Sequence, residues 1–290
     1  MLAFLYALAL LGFPVSDAPA GLCRSDLAPR AYGPGDVVFV VLSCDATPMT
    51  ARVSYAGGEV PLFRLEDSAA GRIESAEAGA AAVPGLLRDT PVRLGLLLGI
   101  DVSTPPGAPG LDWEVQFGGG DYETGMHRLT VTARSFPVQR LRLPRRYAEP
   151  DPETTTRIRE ESERLKRILA GARAERVWRG AFDSPLPDAR GGGFGARRVL
   201  NGRTSSPHTG IDLGAPSGEA VYASNAGVVA LVDTLYLGGK TVVLDHGLGL
   251  FTIYCHLSQT SVLEGDLLAR GRMLGRVGAT GRVTGPHLHW

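Results

Sequence analysis

Between residues 21 and about 140 the apolar positions come in short runs broken by Gly and Pro: "DVVFVVLSC", "ARVSYAG", "VRLGLLLGID" and "HRLTVTARSF". Such runs, alternating or briefly continuous and separated by turn residues, predict strands, and several in succession predict an immunoglobulin-like all-β sandwich. "VSTPPGAPG" reads as a loop. From Pro150 the period changes. "DPETTTRIREESERLKRILAGARAERVW" places Ile158, Leu165, Ile168, Leu169, Ala172 and Val177 at helical spacing, with no Pro after position 152. One helix is expected over roughly 153–178, joining two domains within a linker at 141–181. Its charged residues, with Glu160–Arg164 and Glu163–Arg167 as i,i+4 pairs, read as a solvated face. From Phe182 the chain returns to strands. "EAVYASNAGVVALVD" and "KTVVLDHGLGLFTIYCHL" are rich in Val, Ile and Tyr, with Gly247 and Gly249 turning a hairpin. The fold class is mainly β: a sandwich at 21–140, a connecting helix, and an antiparallel β domain at 182–290.

Composition narrows the function classes. The 290 residues suffice for two cores, and a hydrophobic content of 44% excludes a disordered chain. Thirty basic and 30 acidic residues leave no global field to recruit nucleic acid. The opening "MLAFLYALALLGFPVSDAPA" holds an apolar run of about a dozen residues, short of the roughly 20 that span a bilayer, and then Ala18-Pro19-Ala20. This predicts a signal peptide over 1–20 and an exported protein, periplasmic or associated with the cell envelope, with no stable membrane span after cleavage. No Lys or Arg precedes the run, which leaves an uncleaved anchor or a misplaced start codon as alternatives. Export lets Cys23 and Cys44 pair in an oxidising compartment, while "AGLC" is a poor lipidation site. Cys255 is the odd cysteine, inside a strand-like run.

The chemistry sits in the histidines, five of which follow residue 182; the sixth, His127, reads as structural or surface. In "GPHLHW", strand alternation aims His287 and His289 at one site and turns Leu288 to the core. "SSPHTGIDLGAP" adds His208 and Asp212, which a straight strand would hold about 13 Å apart. A bend near Gly210 would close that gap. Two His and one Asp around an open position is the ligand count of a catalytic zinc, whereas a structural zinc takes four protein ligands. A Cys255–His256 nucleophile is disfavoured. Alternation groups Phe251, Ile253 and Cys255 on one face, with the thiol expected in the core, and Thr252, Tyr254 and His256 on the other. His246 is expected to support the hairpin, and Arg197, Arg198 and Asn201 are candidates for the cleft border. No H-E-x-x-H is present, so a Glu general base of that kind is absent.

From about 182 to 290 the sequence resembles the lysostaphin/LytM-type zinc peptidases, family M23. The likeness lies in "FGAR" at 194–197, "HTGIDLGAP" at 208–216, "VVLDHGLGLFTIYCHLS" at 242–258 and "GRVGATGRVTGPHLHW" at 275–290. The resemblance implies zinc ligation by His208, Asp212 and His289, and assigns His256 and His287 to catalysis. It also implies a zinc metalloendopeptidase acting on the peptide part of bacterial peptidoglycan, with a sandwich ahead of it as in some Gram-negative members. The alternatives are a non-catalytic module of the same fold that activates another hydrolase, and a binding protein working through its sandwich. Members of the family continue past the H-x-H strand, so either a longer chain or a less supported metal site is expected where this sequence stops at Trp290.

Overall fold

The computed structural model describes residues 23–28, 30–65, 92–142, 144, 147 and 149–290; the expected signal peptide lies outside them. Among the described residues, one compact unit ends at Arg134 and a second runs Ser135–Trp290.

The first unit contains β1 (Cys23–Leu27), β2 (Val37–Cys44), β3 (Thr50–Tyr55), β4 (Gly58–Glu59), β5 (Phe63–Arg64), β6 (Val92–Gly99), β7 (Gly110–Gln116) and β8 (Tyr122–Arg128). They form two four-stranded sheets, ordered β1-β2-β6-β5 and β4-β3-β7-β8, and every pairing is antiparallel. Alternation in β2 and β6 sends Val38, Val40, Leu96 and Leu98 inwards, where they join Val53 and Leu111 of the other sheet in one core. "HRLTVTARSF" is not one strand. It leaves β8 at Arg128, and Val131 then bridges Tyr32 and Gly107, because Thr130 and Thr132 exchange backbone hydrogen bonds with Tyr32. His127 contacts the Ser25 hydroxyl at 3.0 Å. Cys23 and Cys44 are directly opposite in the β1–β2 register and form a disulfide.

The second unit adds β9 (Val138–Leu141), α1 (Pro152–Ala170), β10 (Gly191–Gly192), β11 (Arg197–Leu200), β12 (Arg203–Pro207), β13 (Asp212–Leu213) and β14 (Ala220–Tyr222). It continues with β15 (Gly227–Leu235), β16 (Gly239–Gly247), β17 (Leu250–Thr260), β18 (Leu267–Leu268), β19 (Met273–Val277) and β20 (Leu288–His289). Its main sheet runs β10-β13-β20-β17-β16-β15-β18, with β19 also on β17 and β14 on β19. One face carries the core of Val242, Leu244, Tyr254, Leu257, Leu213 and Leu288, all fully buried. The turn between β16 and β17 uses positive φ at Gly247, Leu248 and Gly249. His246 supports this hairpin from inside, with Nδ1 2.7 Å from the Ala226 carbonyl and Nε2 2.7 Å from the Thr252 hydroxyl.

The helix is shorter than its apolar spacing predicts. Asp151 caps it by accepting from the Thr154 amide at 2.7 Å, and it stops at Ala170 before Gly171. Residues 173–177 instead run along the hairpin: Leu248 N donates to Arg173 O (2.7 Å) and Val177 N to His246 O (2.8 Å), while Arg173 N donates to the Asp245 carboxylate (3.0 Å). Sheet partners therefore outcompete the last helical turns. The charge pairing differs too, since Arg164 reaches Asp233 and Glu264, and Arg157 pairs with Glu161. Nothing on this helix is fully buried. Polar contacts dock it: Arg157 donates to Thr234 O, and the Tyr236 amide donates to Glu161.

The disulfide generates a stability prediction. It closes a loop with a sequence separation of 21, so a Cys23→Ser/Cys44→Ser double variant should lose about 3 kcal/mol. A lowered urea midpoint of the unit ending at Arg134 checks this; identical midpoints for the oxidised parent and the double variant would contradict it.

Candidate metal centre

The site forms where β13, β20 and β17 meet. Asp212 is paired with His289 across β13 and β20, and Leu213 with Leu288. Alternation then puts the two pairs on opposite faces: the leucines go to the core, while Asp212 and His289 face the other side. His208 follows β12, and the chain turns through residues 209–211 before β13. Gly210 makes that turn fit. A Cβ there would stand 2.6 Å from the Trp290 carbonyl and 2.7 Å from the His289 ring. The bend anticipated near Gly210 thus lets His208 and Asp212 converge.

Their donor atoms are close together. His208 Nε2 is 3.0 Å from Asp212 Oδ1 and 2.9 Å from His289 Nδ1, which is itself 2.9 Å from Asp212 Oδ1. The Gly193 carbonyl lies 2.8 Å from His208 Nδ1. A carbonyl only accepts, so Nδ1 donates to it and Nε2 is the ring nitrogen turned to the site. There it meets a carboxylate oxygen, a contact that a proton or a metal cation between the two atoms satisfies. Arg198 supplies charge only from behind, donating to Asp212 Oδ2 at 2.9 Å and leaving Oδ1 for the centre. Burial alone would push the Asp212 carboxyl up, but hydrogen bonds and charge from the histidines outweigh it and hold the carboxyl well below its ordinary range. Two imidazole nitrogens and a carboxylate oxygen, with His208 and Asp212 each oriented from behind, are a donor set that suits zinc.

His256 and His287 stand beside this trio. Their ring centroids are 4.9 Å apart, and His256 is 5.9 Å from His289. His256 Nδ1 donates to Thr280 O (2.9 Å) and His287 Nδ1 to Gly285 O (2.8 Å); His256 Nε2 has no hydrogen bond among the described residues, and His287 Nε2 lies 3.7 Å from Asp212 Oδ1. Burial pushes the His256 imidazole down to about 4, aided by His287 and His289.

Strand alternation misplaces Cys255. At the β17 bulge, Val242 pairs with Tyr254 and Lys240 with Leu257, so two residues on β17 oppose one on β16. His256 takes φ +64 there. Tyr254 and Leu257 both enter the core, and Cys255 and His256 both turn to the cleft side. The thiol is nevertheless buried, 3.7 Å from the Thr241 hydroxyl, and burial pushes it up to about 11. At neutral pH it stays protonated and is no nucleophile. Arg198 borders the cleft, whereas Arg197 and Asn201 are exposed. Sequence reasoning missed Thr280, the Gly193 and Gly285 carbonyls and Arg282; the glycine punctuation of "GATGRVTGPH" signalled a turn-rich loop there but no role for Arg282.

Comparison with known proteins agrees with this geometry. The model of "Peptidase family M23" matches residues 206–290. Over 85 residues the chain is 45% identical to the peptidoglycan DD-endopeptidase ShyA of Vibrio cholerae, covering 29% of this chain and 20% of that protein. Over 113 residues it is 40% identical to the DD-carboxypeptidase/endopeptidase Mpg of Neisseria meningitidis, covering 34% and 26%. The chain thus spans a fifth to about a quarter of these relatives' length. A crystal structure of an M23 chain from Pseudomonas aeruginosa superposes with a TM-score of 0.60 at 28% identity, over 89% of this chain and 88% of the other. Residues 206–290, which carry the histidine–aspartate centre, match peptidase family M23.

Proposed function

We propose that this protein is a zinc metalloendopeptidase that hydrolyses peptide cross-links of bacterial peptidoglycan in the cell envelope. One observation carries the reading: His208 Nε2, Asp212 Oδ1 and His289 Nδ1 lie 2.9–3.0 Å apart in a cleft that also holds two further histidines, each held through Nδ1. His208, Asp212 and His289 would hold the metal. Zinc bound there supplies Lewis acidity and lowers the pKa of a water towards about 7. The name of the Vibrio relative, a peptidoglycan DD-endopeptidase, supports peptidoglycan as the substrate, and a peptidoglycan substrate in turn supports the envelope as the location.

The chain's own residues then have distinct tasks. Arg198 fixes the Asp212 carboxylate so that Oδ1, not Oδ2, faces the centre. His256 stays neutral at neutral pH, and its Nε2 lone pair can take a proton from the attacking water. His287, beside His256, can donate from Nε2 to the oxygen that gains charge in the tetrahedral intermediate once that nitrogen carries a second proton. Backbone carbonyls hold both rings, so little reorganisation is needed during reaction. A regulator of the same fold that bound no metal would have no need of this donor set.

Two substitutions separate the roles. Asp212→Ala removes one of three ligands and should lose zinc; elemental analysis finding full zinc occupancy in that variant would sink the ligand assignment. His256→Ala should keep its zinc and its melting temperature but lose about 10²–10⁴-fold in turnover. Near-parental digestion of peptidoglycan by His256→Ala would remove His256 from the chemistry.

A further inference from the structure

We infer that Arg282 binds a free substrate carboxylate on the carbon next to the scissile nitrogen, and so selects peptides whose leaving residue carries that carboxylate. The inference rests on the peptidase reading above. Arg282 lines the same cleft of about 230 Å³ as His256 and His289, with Leu235, Leu237 and Ile253 as apolar wall. Its guanidinium is half-buried, and among the described residues no carboxylate pairs with it. The charges close by are already committed. Arg198 is bound to Asp212 and Gln139, and Glu161 is bound to Arg157 and the Tyr236 amide, both at 2.7 Å. Burial and the neighbouring Arg198 both work against a charged Arg282, and an arginine side chain keeps its charge regardless. Desolvating a cation beside another cation without an anion is costly. An anion entering the cleft removes that cost.

The position is also rigid. Arg282 N donates to Leu237 O at 2.9 Å. Two residues earlier, Thr280 holds His256 through its carbonyl (2.9 Å), donates to Leu257 O (2.8 Å) and accepts from Lys240 N (2.9 Å). Gly281, with φ +77, packs directly on the backbone of Leu237 and Gly239, where a Cβ has no room. One anchored loop therefore presents both the His256 ring and the Arg282 guanidinium to the cleft.

The geometry of a peptide bond then limits the ligand. On the acyl side of the scissile bond the main-chain carboxyl is consumed in the bond itself, so a main-chain carboxylate next to it belongs to the leaving residue. Bonds whose leaving residue is carboxy-terminal, or is linked onward through its side chain and so keeps its α-carboxylate, have one. Guanidinium grips such a group bidentately, which fixes orientation as well as position.

A pair of peptides differing only in carboxylate or carboxamide on the leaving residue tests this, with the zinc-loaded full chain and its Arg282→Gln and Arg282→Lys variants. The parent should cleave the acid about 10–100-fold better in kcat/KM than the amide. Arg282→Gln should cleave both peptides at the parental amide rate, with zinc content and melting temperature unchanged, and Arg282→Lys should restore part of the preference. A parent without preference, or an Arg282→Gln protein that keeps it, overturns the inference while leaving the peptidase reading intact. If the parent cleaves neither peptide, that reading fails, and calorimetric binding of the same pair still decides on Arg282. Tighter binding of the acid by the parent but not by Arg282→Gln sustains the carboxylate site, and equal binding refutes it.

Discussion

Everything at this site depends on holding Asp212 Oδ1 3.0 Å from His208 Nε2 and 2.9 Å from His289 Nδ1, atoms brought together from positions 208–212 and 289. Three polar atoms packed this closely need a proton or a cation among them, and the rest of the domain is arranged to hold them. The β13–β20 ladder fixes Asp212 against His289, while Leu213 and Leu288 clamp the opposite face into the core. The Gly193 carbonyl sets the His208 tautomer and Arg198 sets the carboxylate rotation. Core burial thus holds the site together, and the site in turn needs the strand register to be right, because a slip of one residue would send Asp212 and His289 to the core face.

What could be read from the sequence followed from local periodicity. H-x-H on a strand puts His287 and His289 on one face whatever the tertiary context, and the sandwich announced itself as short apolar runs between turn residues. His208 and Asp212 were half legible: the pair stood out, but its closure depended on Gly210 packing against the His289 ring and the Trp290 carbonyl. Three features were hidden for non-local reasons. The bulge at Cys255–His256 is set by the register of β17 on β16 and by a Thr280 carbonyl 24 residues away. The helix ends at Ala170 because the β16–β17 hairpin competes for the following backbone. Arg282 gives no signal along the chain, since its lack of an acidic partner exists only after folding.

The bulge has a functional consequence. Ordinary alternation would put His256 on the side of Tyr254, in the core; left-handed backbone at His256, costing roughly 1–2 kcal/mol, turns it to the cleft instead. The same kink seats Cys255 beneath the cleft wall as a protonated thiol. Strain at one residue therefore places the His256 ring in the cleft.

The central claim is that this trio holds zinc for peptide hydrolysis in peptidoglycan. The most direct measurement is mass spectrometry of purified peptidoglycan digested by the protein, before and after chelation and again after zinc is returned. The account predicts that cross-linked dimers fall to monomers, that chelation stops the conversion, and that zinc restores it. Dimers left intact by the zinc-loaded protein, or conversion indifferent to chelation, would contradict it.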